Sequence, residues 1–72
     1  MKLKDLVNVT AWYTHVIIHE WNKEHSELVA DCSISEIVNM HALSEMTLEK
    51  EVDFVAIRKD RKGISLSVTI ID

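Results

Sequence analysis

The chain has 72 residues, 47% of them apolar and 28% charged, with one glycine, no proline and a single cysteine. That length allows one domain, and a domain near this size buries only about 60% of the surface its unfolded chain exposes. No apolar run approaches the roughly 20 residues needed to cross a bilayer. No apolar leader follows Met1-Lys2-Leu3-Lys4-Asp5, and one cysteine cannot close an internal disulfide. A folded cytoplasmic protein resting on its core alone is the expectation, with no membrane contact.

The first element in the chain is short. Leu3, Leu6 and Val7 follow helical spacing, so residues 2 to 10 can form an amphipathic helix. The β-branched Val7, Val9 and Thr10 pull that segment toward strand and leave its type open. Residues 14 to 21 are rich in strand formers, and after the polar break Asn22 to Ser26 the chain can return over Glu27 to Cys32 as a hairpin. Ser33-Ile34-Ser35-Glu36 has the Ser-x-x-Glu form of a capping box. Behind it Ile34, Ile37, Val38 and His41 keep helical spacing, which predicts a helix from 34 to about 43.

Met46, Leu48 and Val52 are irregularly spaced and predict a loop or a single turn. Val52 to Lys59 then reads as a strand. Its two apolar sets, Val52/Phe54/Ala56 and Val55/Ile57, compete for the buried face and suggest a central strand covered on both sides. Asp60-Arg61-Lys62-Gly63 is a turn, and Ile64 to Ile70 alternates apolar and polar without a break. The order helix, hairpin, helix, hairpin predicts one α+β domain over residues 1–72. Its sheet would be small and mostly antiparallel, of about four strands, with one or two helices on one face.

Charge is segregated along the chain. Residues 20 to 53 hold nine acids against Lys23 and Lys50, a net of −7, whereas residues 58 to 62 carry +3. The acidic excess argues against general contact with nucleic acid and favours basic partners. Arg58, Lys59, Arg61 and Lys62 are the local exception. They read as a charged, solvated hairpin tip, or as a weak phosphate contact in which four cations neutralise few phosphates and no aromatic is interleaved.

Taken over its length, the chain resembles small proteins encoded by phages and prophages of Gram-positive bacteria. The residues that carry the likeness are the Lys4-Asp5-Leu6 opening, Val16-Ile17-Ile18, the capped helix after Ser33, and Glu51-Val52 leading into Ile64 to Ile71. The resemblance implies a small accessory protein, with modulation of a host protein as one role. It brings no catalytic residues.

The candidate chemistry is sparse. His15 and His19, beside Glu20, have a metal-like spacing only if they lie on a helix. On a strand they stand about 13 Å apart, too far for one ion. His41 on a helical stripe reads as a packed or boundary residue. Cys32, just before a helix start, has a position where a thiol's pKa can fall, but no base is placed for it, and a small buried hydrophobe is the plainer reading. Glu49 and Glu51 flank Lys50 as a solvated loop, and one glycine cannot build a phosphate loop. No catalytic residue, metal or cofactor is therefore expected.

Binding is the remaining role, with an unidentified protein as partner. Trp12 and Tyr13, where the first helix meets the first strand, are either interface anchors or a cap on the edge of the core. Glu45, Glu49 and Glu51 are the acidic contacts. Ile64 to Ile71, if placed at a sheet edge, would invite pairing with its own copy to give a homodimer.

Overall fold

In the computed structural model, which describes residues 1–61 and 63–71, the elements run α1 (Leu3–Val9), β1 (His15–Trp21), β2 (Ser26–Ser33), α2 (Ile34–Asn39), α3 (Glu45–Leu48), β3 (Glu51–Asp60) and β4 (Gly63–Ile71). The four strands form one sheet in the order β2-β1-β4-β3. Each hairpin is antiparallel. The two hairpins join through a parallel pair, β1 beside β4, in register from His15 opposite Ser65 to Trp21 opposite Ile71. The expected α+β sheet is present, mixed at its centre.

Local chemistry sets the element ends. The Ser33 N–H donates to Glu36 Oε2 at 2.9 Å and the Glu36 N–H donates to Ser33 Oγ, so the capping box closes at α2. At α1 the Lys2 N–H donates to the Asp5 carboxylate, again three residues on, which favours helix over strand for this segment. In the first hairpin, Asn22 Oδ1 accepts from the Glu24 and His25 N–H groups and folds the connection.

Helix α2 is shorter than its apolar spacing predicts. It ends at Asn39, because His41 adopts φ 51, a left-handed conformation that stops the helix without a glycine. His41 is consequently exposed in the following loop instead of packed on a helical stripe. Leu43 is buried from that loop.

The helices cover one face of the sheet. Leu3 and Val7 of α1, Ile34 and Ile37 of α2, and Leu43 pack on Val16 and Ile18 of β1 and on Val68 and Ile70 of β4. Those last two are wholly buried. Strand β3 contributes only Val52 to this core, as a partly buried neighbour.

Two expectations about the strands are corrected. Ile64 to Ile71 lies in β4, a central strand, and offers no edge for pairing; the edges are β2 and β3. Strand 52 to 59 is not covered on both sides, because it is itself the edge. Its two competing apolar sets are explained by a bulge between Val52 and Phe54. The extra residue, Asp53, breaks the period-2 alternation. Val52, Val55 and Ile57 thus stand opposite Ile70, Val68 and Leu66 on the helix side, while Phe54 and Ala56 fall on the open side.

Candidate functional site

The sequence candidates occupy opposite ends of the sheet. Trp12 and Tyr13 form the turn ahead of β1. Their rings meet edge to face with centroids 5.8 Å apart. The Trp12 carbonyl accepts from the Ser35 N–H and the Thr14 carbonyl from the Ile34 N–H, which fixes this turn to the start of α2. Both side chains are largely exposed, at 69% and 72%, so they do not cap the core. The β3–β4 turn lies at this same end, with Arg58 opposite Ser65 and Ser65 opposite His15. Arg58, Lys59 and Arg61 are exposed there, and Lys62 lies outside the described residues. A groove beside the turn brings Arg61 together with Asp31, Asp60 and His15, so the tip is of mixed sign.

Glu45, Glu49 and Glu51 sit at the other end. With Lys4, Leu48 and Ile71 they line an open groove between α3 and the end of the sheet. Most of this acidity is answered from within the chain. Glu49 accepts from Lys2 Nζ at 2.6 Å and from Lys4 Nζ at 2.7 Å, and Glu51 pairs with the Met1 amino group at 3.2 Å. The two lysine hydrogen bonds lower the Glu49 carboxyl to about 2, and the bond to Glu49 in turn raises Lys2. Lys50, in the same segment, reaches Glu20 of β1 at 2.5 Å and ties this end to the sheet.

A pH dependence follows from Glu49. Its folded pKa lies below the ordinary carboxylate value, so its contribution to stability is present above about 4.5 and is lost as pH falls toward about 2. Replacing both lysines (Lys2→Ala with Lys4→Ala) is expected to return the carboxyl midpoint to about 4.3 and to remove that acid-sensitive component. A carboxyl chemical-shift titration reads the first effect and a set of denaturation curves across pH the second. An unmoved midpoint would show that the lysines do not hold Glu49 in solution.

The remaining reactive side chains are scattered. His15 and His19 belong to an extended strand, and His15 pairs with Asp31 of β2. Among the described residues no group of three or more His, Cys, Asp or Glu could hold a metal ion. Cys32 is partly buried against the core, and desolvation, reinforced by Glu36 and Asp31, raises its pKa. This is the reverse of what a nucleophile needs. Among the described residues no helix is long and apolar enough to cross a membrane.

The comparisons with protein-family models, curated proteins and solved structures find no match for this chain.

A surface that the sequence reading did not single out lies along β3. The strand is ten residues long and every residue but Val52 is exposed, including Phe54 at 55%, Val55 at 41% and Ile57 at 75%. The helix layer stops short of it, so the face that carries Val55 and Ile57 is left open. Among the described residues, its outer side is met at the beginning, where the Met1 carbonyl accepts from the Val52 N–H and Lys2 bridges Glu51. The signal in the sequence was the uncharged run Phe54 to Ile57 between Asp53 and Arg58, with apolar residues on both faces.

Proposed function

We propose that this chain is a non-catalytic protein-interaction module that takes an extended segment of a partner against the outer edge of β3. The observation that carries the reading is that edge itself, with Phe54, Val55 and Ile57 exposed on its two faces. A strand edge supplies unpaired backbone groups for hydrogen bonding, and the alternating side chains beside it supply selectivity. The internal pairing of Glu49 and Glu51 weakens the case for the acidic end as the main contact, because those charges are already answered. The resemblance to small phage-encoded proteins suggests an accessory protein acting stoichiometrically on a host protein in the cytoplasm.

A contact of the tip residues Arg58, Lys59 and Arg61 with nucleic acid is the competing reading. Selection from a random peptide library, together with titration of single- and double-stranded oligonucleotides at several salt concentrations, separates the two. Enrichment of extended peptides with alternating apolar residues, lost with Ile57→Glu, is the expected result. Oligonucleotide binding that collapses with added salt and with Arg58→Glu/Arg61→Glu, and no peptide enrichment, would overturn it.

A further inference from the structure

We infer that the strand seated on the edge of β3 is β3 of a second copy of this chain, antiparallel, about a twofold axis normal to the sheet and passing through Ala56. The inference rests on the reading of β3 as the interaction surface and names its occupant.

Charge order along the strand is the first argument. Glu51 and Asp53 stand at its beginning and Arg58 and Lys59 near its end, before the terminal Asp60, with the uncharged run Phe54 to Ile57 between them. With Ala56 opposite itself, Asp60 falls against the uncharged Val52. Reversal of such a strand against itself sets acid against base. The other edge lacks this property. Strand β2 carries Glu27 and Asp31, and antiparallel pairing with its own copy would set those acids against each other.

Faces and register supply the second argument. A twofold axis normal to the sheet keeps both helix layers on one side, so residues directly opposite must share a face. With Ala56 opposite itself, Val55 meets Ile57 of the second copy on the helix side, and symmetry repeats the contact. The four side chains then cover the apolar face that the helices leave open at Val55 and Ile57. On the open side Phe54 meets the second copy's Arg58, a cation over an aromatic ring. Asp53 comes beside the second copy's Lys59. The ladder stops where Met1 already occupies the outer side of Val52. A contact of this length is small, so its assembly should depend on concentration across the micromolar range.

Sedimentation equilibrium of the full chain tests it. The mass is expected to rise from 8.3 kDa toward twice that value with concentration. Asp53→Lys makes the charges of residues 53, 58 and 59 all positive, and Arg58→Glu/Lys59→Glu makes them all negative. Each variant alone should self-associate about tenfold more weakly or worse, because like charges then face each other. An equimolar mixture should recover a dimer containing one of each. These side chains are exposed, and far-ultraviolet circular dichroism confirms that each variant folds. A wild-type chain that stays monomeric, or variants that dimerise separately as well as wild type does, would overturn the inference. A monomer that still enriches strand-forming peptides refutes the second copy alone, while a monomer that enriches none refutes the edge as an interaction surface too.

Discussion

Ile70→Ala is expected to bring the chain to the limit of its stability. Ile70 is wholly buried in the central strand β4, opposite Val52 on one side and Glu20 on the other. Truncation of a buried isoleucine to alanine costs about 2–5 kcal/mol, because the lost burial and the residual cavity add. A domain of 72 residues has roughly 4–11 kcal/mol in all. The thermal midpoint should therefore fall by about 10 °C or more, if a folded transition survives at all. Ile57→Ala removes the same atoms from a site that is 75% exposed, and should change stability by no more than about 0.5 kcal/mol. Both are to be measured at the same low protein concentration, so that any self-association does not enter the comparison. Equal losses at the two positions would mean that the helix layer reaches β3 after all.

Gly63→Ala is expected to destabilise by about 1–3 kcal/mol, although the added methyl would meet nothing within 4 Å. The cost is conformational. Gly63 has φ +126, a region that side chains of L-residues rarely adopt, and it closes the β3–β4 hairpin opposite Asp60. A D-alanine at the same position, introduced by chemical synthesis, has the mirror-image preference and should be neutral or stabilising. Denaturation of the two peptides side by side tests the backbone account, since each gains one methyl group but only the L-residue is forced into an unfavourable φ. Similar losses for the L- and D-residues would refute the conformational account.

What the sequence disclosed and what it concealed divide along the range of the interactions. The capping box at Ser33 and Glu36, the turn at Gly63 and the alternation from Ile64 to Ile70 are local, and each is legible within a few residues. The order of the strands is not local. Nothing in His15 to Trp21 or in Ile64 to Ile71 states that they lie side by side and parallel, because that pairing depends on how α1 and α2 cover both at once. Strand β3 was misplaced for a smaller reason. One bulged residue, Asp53, moves Val52 onto the face of Val55 and Ile57, and a strict period of two then divides between two partial sets what the strand holds as Val52, Val55 and Ile57 on the helix side and Phe54 and Ala56 on the other. His41 ended α2 in a conformation more often supplied by glycine. The candidate residues at 12, 13, 45, 49 and 51 were legible as exposed groups, yet the fold separates them to opposite ends. Only the structure pairs Glu49 with Lys2 and Lys4 across more than forty residues of sequence.

The parallel pairing of the first and last strands has a consequence for how the molecule forms. Each hairpin can close quickly by itself, but Val16 and Ile18 gain their neighbours Leu66 and Val68 only after some fifty intervening residues have been brought round. During synthesis the amino-terminal half therefore leaves the ribosome with an uncovered flank, and cooperative folding waits for the final strand to emerge. Loss of that closing segment would leave β1 and β3 with no strand between them, instead of a smaller version of the same sheet.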